Sequence, residues 1–184
     1  IKETTSVLSS LLKVGEDEIY YTSGGTESNN LAILGTAYAY HRTGKHIITT
    51  KIEHPSVYRT FQYLEDEGFE VTYLPVDSLG YIEGDKLKGL IRKDTILVSI
   101  MHVNNEVGTI QNIEKIGRVI KAANPNTIFH VDGIQSFGKI SIPAKKWGID
   151  LFSISSHKLH GPKGVGALYK RKEVRLIPLL YGGN

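Results

Sequence analysis

Thr95–Val103, TILVSIMHV, decides the fold. Its centre, ILVSIM, is apolar at every position but one, so it lacks the in-out alternation of a strand with one wet face. A short run of this kind, rich in β-branched residues, suits a strand covered on both sides. Working outward, similar runs recur at EIYYTS (18–23), HIITT (46–50), FEVTYLPV (69–76), TIFHVDG (127–133), DLFSISS (150–156) and VGALYKR (165–171). Helical stretches are predicted between them, from about Glu27 to Tyr40, after Pro55, around Leu87 and from Ile113 to Ala123. Strand and helix taking turns in this way predict an α/β fold, a mostly parallel sheet flanked by helices and joined by right-handed crossovers. The last two strands have no helix between them, which predicts a hairpin and an antiparallel member near the C-terminus.

Composition narrows the function classes. With 184 residues and 40% hydrophobic content, the chain can bury one sizeable core, and residues 1–184 read as a single domain. Cysteine is absent, which excludes disulfides and thiolate zinc sites within this stretch. The 22 Lys and Arg and 19 Asp and Glu are interspersed with no run of five of one sign, so no nucleic-acid footprint is expected. Nothing approaches the roughly 20 apolar residues of a membrane span, and no signal-peptide pattern opens the chain, so a soluble cytoplasmic protein is expected. Seven histidines are present without an H-E-x-x-H pattern, and no metal site is expected. The chain starts at Ile1, its one methionine is Met101, and RLIPLLYGGN (175–184) stops at a glycine pair. It therefore reads as a piece of a longer polypeptide.

In a parallel sheet, ligands gather at the carboxyl ends of the strands, and the chemistry-bearing residues of this chain fall there. SGGTESNN (23–30) offers Gly25, Thr26 and a helix N-terminus to a phosphate, although the same residues would cap any helix. His54 precedes Pro55 at a helix start, where its ring could stack on a flat cofactor or simply cap. Asn104 and Asn105 follow TILVSIMHV. Asp132 ends an apolar strand, and a carboxylate buried there must be partnered. Gln135 lies three residues on, and Lys158 follows DLFSISS in a stretch poor in charge, where burial would free its amine for attack. A neutral lysine amine for a Schiff base and a carboxylate facing a pyridine nitrogen are the minimum equipment of a pyridoxal 5'-phosphate (PLP) site.

Taken in order, TSGGTESNNLA, KIEHPSV, MHVNNEVGTIQ, HVDGIQSFGK and SSHKLHGPKGVGALY resemble the NifS/IscS-type cysteine desulfurases, class V aminotransferase-like PLP enzymes of fold type I. The resemblance covers nearly the whole chain. It implies that Lys158 anchors PLP, that Asp132 partners the pyridine nitrogen, and that His54 stacks on the ring and takes part in proton transfer. It implies further that Gln135 and Asn105 serve the ring's phenolic oxygen, Asn105 also the substrate carboxylate, and that Gly25, Thr26, Ser155 and His157 cradle the phosphate. The implied activity converts L-cysteine to L-alanine, passing sulfur to a cysteine persulfide for iron-sulfur cluster or tRNA thiolation pathways. A homodimer and sulfur-acceptor or scaffold proteins are the implied partners. Alternatives are another class V enzyme, such as an aminotransferase or selenocysteine lyase, or a noncatalytic PLP-binding assembly module. Two departures stand out: Ser156 where the family commonly has glycine, and Gly133 where it commonly has alanine. The family's N-terminal segment, small C-terminal domain and cysteine-bearing loop have no counterpart in these residues.

Overall fold

A computed structural model describes residues 1–182; the second glycine of the terminal pair and Asn184 lie outside the described residues. Helix α1 (Lys2–Leu12) leads into strand β1 (Ile19–Thr22), helix α2 (Gly25–Tyr40), β2 (His46–Thr50), α3 (Pro55–Asp66) and β3 (Glu70–Leu74). The chain continues through α4 (Gly84–Leu90), β4 (Thr95–Met101), α5 (Ile113–Ala123), β5 (Ile128–Asp132), β6 (Leu151–Ser155), a 3-10 turn (Ser156–Leu159) and β7 (Gly166–Lys170). The expected strands and helices are all present, with ends shifted by a few residues. Helix α1 was not anticipated, because KETTSVLSSLL is crowded with serine and threonine, which favour turns and caps over helix interiors. Its burial of Leu12 against the sheet supplies what propensity does not.

The seven strands form one sheet in the order β1-β7-β6-β5-β4-β2-β3. The block from β6 to β3 is parallel, with Met101 beside Asp132 and Asp132 beside Ser153 in register. Strand β7 is the antiparallel member, pairing with β6 as a hairpin and with β1 on its other side. The run that announced the fold behaves as expected, since all seven residues of β4 are buried. Its side chains divide between two cores. One, with Val98, Ile100, Phe129, Val131 and Phe152, packs under α1, α4 and α5; the other, with Ile47, Leu97 and Leu168, packs under α2 and α3. Because β1 and β6 both run opposite to β7, the carboxyl ends of β1, β2, β4, β5 and β6 open on the same edge of the sheet. That edge carries the cleft.

Candidate active site

A cleft of about 410 Å³ sits on this edge, within the size range of cofactor sites. All nine residues singled out from the sequence line it: Gly25, Thr26, His54, Asn105, Asp132, Gln135, Ser155, His157 and Lys158. Five separate segments deliver them, so the convergence is a product of topology.

Asp132 forms the floor. It ends β5, the strand flanked by β4 and β6, and is only 5% exposed. Burial pushes its carboxyl above the ordinary range, while the Ile134 N-H, donating to Oδ1 at 3.0 Å, and the Asn29 Nδ2, donating to Oδ2 at 2.9 Å, pull in the opposite direction. A cationic group in the cleft would complete the compensation of this buried acid.

One wall is the β1–α2 turn. Gly25 stands at the first turn of α2, and a Cβ there would fall 2.2 Å from Ile134 Cδ1, so glycine lets this helix start approach the Asp132 turn without displacing the Ile134 side chain. The Thr22 hydroxyl, 2.7 Å from Ser28 Oγ, ties the turn to the helix. Glu27 reaches back to accept from the Ser23 hydroxyl at 2.5 Å and from the Ser23 N-H at 2.7 Å, which together hold its carboxyl below the usual range. Helix N-H groups and Thr26 are thereby presented to an anion.

The opposite wall follows β6. Ser155 is buried, its Oγ lies 2.6 Å from His157 Nδ1, and the 3-10 turn then carries His157 and Lys158 out onto the cleft wall. Burial of Lys158 is therefore not observed; the turn lifts it off the sheet edge, and the side chain is exposed at the cleft. His54 caps α3 with Pro55 at its first position, its Nδ1 accepting from the Ser56 N-H at 3.1 Å. Asn105 sits on a turn held by Asn104, whose Oδ1 accepts from the N-H groups of Glu106 and Val107 and whose Nδ2 donates to the Ile52 carbonyl. Gln135 projects from the turn after Asp132. Lys163 and Gly164 close the rim.

The model of the aminotransferase class-V family matches residues 1–184. The chain belongs to that family. It is 50% identical over its full 184 residues to "Cysteine desulfurase IscS" of Dictyoglomus turgidum, covering 46% of that protein. It is 55% identical over 168 residues, 91% of its length, to the protein of the same name from Methanosarcina thermophila, covering 41% of it. A solved structure titled "NIFS-LIKE PROTEIN" superimposes with a TM-score of 0.95 at 44% identity, over 99% of this chain and 50% of the other. One titled "SspA in complex with cysteine" does so with a TM-score of 0.93 at 43% identity, over 99% of this chain and 52% of the other. The class V fold and the NifS/IscS kinship expected from the motifs are thus borne out. The chain spans about half the length of the relatives it matches.

Two residues of the site escaped the sequence reading. Asn29 is completely buried and donates to both Asp132 and the Ser56 hydroxyl. Ser56 in turn lies against His54 Nδ1. A polar residue on the second turn of α2, facing the same way as apolar Ala32 and Ile33, was the signal available. The family's usual alanine at Gly133 also has a local answer, for a Cβ there would lie 1.8 Å from the Phe152 ring. Among the described residues no cluster of metal-ligating side chains occurs, and no helix is long and apolar enough to cross a membrane.

Proposed function

We propose that this chain is the PLP-holding large domain of a cysteine desulfurase, which converts L-cysteine to L-alanine and passes the sulfur on. The single observation that supports it is the joint placing of a buried acid, a lysine and a glycine-lined anion cradle around one cleft. The residues fit the cofactor: Asp132 is a buried carboxylate that gains from a protonated ring nitrogen, and Gly25 and Thr26 stand at the N-terminus of α2 on the cleft wall, where backbone N-H groups suit a phosphate. PLP, when bound, supplies an electrophilic carbon and an electron sink.

The roles of the protein follow. Lys158 holds the cofactor covalently and, released by substrate, takes the α-proton at Nζ. Asp132 keeps the proton on the ring nitrogen by charge. His54 covers one face of the ring and excludes water there. Gln135 and Asn105 donate to the phenolic oxygen, Asn105 also orienting the substrate carboxylate, and Gly25, Thr26, Ser155 and His157 hold the phosphate. No cysteine occurs in these 184 residues, so the thiolate that takes the sulfur comes from outside this stretch. L-cysteine as substrate agrees with a neighbour whose structure is titled as a complex with cysteine. The working form is proposed to be a cytoplasmic homodimer that hands sulfur to acceptor or scaffold proteins, with no nucleic acid or membrane bound directly.

The test uses the full-length protein loaded with PLP. Lys158→Ala should abolish the visible absorption band of the covalently held cofactor, and Asp132→Ala should cut turnover at least about 100-fold while protein yield changes little, in line with the loss of a charge stabilising the reaction's developing charge. An unchanged band in the first, or retained turnover in the second, would overturn the assignments.

A further inference from the structure

Asp132 and His54 approach the cleft from different strands, yet they are joined by an unbroken line of hydrogen bonds. Asn29 is fully buried, and its Nδ2 donates one hydrogen to Asp132 Oδ2 at 2.9 Å and the other to Ser56 Oγ at 2.9 Å. The Ser56 oxygen lies 2.8 Å from His54 Nδ1, and the Ser56 backbone N-H donates to the same Nδ1 at 3.1 Å.

The direction of every proton in this line follows from its first member. A carboxylate only accepts, so it turns the amide nitrogen of Asn29 toward itself. The orientation leaves Asn29 Oδ1 buried without a donor. An unmet buried oxygen is unfavourable, but the reversed amide would set that oxygen against the Asp132 carboxylate. Having accepted from Asn29, the Ser56 hydroxyl has its own hydrogen free for His54. Two donors then meet at Nδ1, which must carry a lone pair, so the ring proton resides on Nε2.

We propose that Asn29 and Ser56 are positioning residues that aim Asp132 and lock His54 in the Nε2-H tautomer, so that the acid at the floor of the cleft and the imidazole at its wall are set as one unit. His54 then meets the cleft as a hydrogen-bond donor at Nε2, not as a base. The catalytic meaning of the relay rests on the PLP reading; its existence does not. A lone helix cap accounts for the Ser56 N-H bond but not for a buried amide spanning two strand ends.

The experiment uses the full-length protein loaded with PLP labelled with nitrogen-15 in the ring, and separately labelled in histidine. Asn29→Leu should move the ring-nitrogen resonance toward its unprotonated position at neutral pH and weaken PLP binding about tenfold, the effect of losing one hydrogen bond to a charged group. Ser56→Ala should leave the ring nitrogen protonated but shift His54 Nδ1 toward the value of a less hydrogen-bonded lone pair, and Ser56→Thr should restore it. An unmoved ring nitrogen in folded Asn29→Leu, or an unmoved Nδ1 in Ser56→Ala, would overturn the relay. If Asn29→Leu does not accumulate, the serine pair decides alone. A wild-type protein that takes up no PLP would sink the functional reading, and the relay would still be judged on the histidine signal.

Discussion

Glu53 gives the sharpest prediction about stability. It is 7% exposed beside His54, its Oε1 accepting from Thr50 Oγ1 at 2.8 Å and from the Met101 N-H at 3.1 Å, while Oε2 has no partner. Burial raises its carboxyl to about 8 from an ordinary 4.5, and the charge of Asp132 adds to the rise. The unfolded chain gives up this proton near pH 4.5 and the folded chain only near 8, so stability is lost as pH climbs through that window. Each pH unit costs about a factor of ten in the folding equilibrium, or on the order of 4 kcal/mol from pH 5 to 8. Glu53→Gln mimics the protonated acid, its amide oxygen accepting both donors. Urea unfolding of the full-length protein and the variant should agree near pH 5, and the variant should pull ahead by up to that amount at pH 8. The comparison also cancels His130 and His102, whose burial lowers them to about 3 and about 4, so that they remove stability from both proteins as pH falls below 6.5. Parallel curves from pH 5 to 8 would refute a buried neutral Glu53.

Other perturbations test the packing that shapes the cleft. Gly133→Ala drives a Cβ into the Phe152 ring, and overpacking of this kind should cost about 1–3 kcal/mol, with Phe152→Leu in the same chain recovering most of it. Chemical denaturation of the single and double variants measures both, and additive losses would refute the contact. Asp150 is fully buried, flanked by Lys121 at 2.5 Å and Arg171 at 2.7 Å, and accepts from the Phe129 N-H. Asp150→Ala, which removes the shared partner of two solvent-reaching cations and leaves the buried Phe129 N-H unpaired, should destabilise by about 1–3 kcal/mol, and no measurable loss would contradict it.

The fold was legible because each strand carries its own signal. TILVSIM is buried throughout, and the missing helix between Ser155 and Gly166 announced the antiparallel β7. The pairing of β1 with β7 was hidden, since IYYT exposes two tyrosines at the sheet edge and says nothing of its neighbour. At the site, the residues that face the cleft are reactive types at strand ends, which sequence reveals. Asn29 and Ser56 work from behind, where an amide or a hydroxyl looks like an ordinary helix residue until the strand ends are brought together. The exposure of Lys158 follows from the 3-10 turn, which the Gly161 N-H closes onto the Ser156 carbonyl at 3.0 Å and which hydrophobic period does not signal.

The most direct measurement is borohydride reduction of the PLP-loaded full-length protein, followed by peptide mass spectrometry. The cofactor should be found fixed to Lys158 and to no other lysine. Attachment to Lys163, which shares the rim of the cleft, or no attachment at all, would contradict the placing of the reactive amine opposite Asp132.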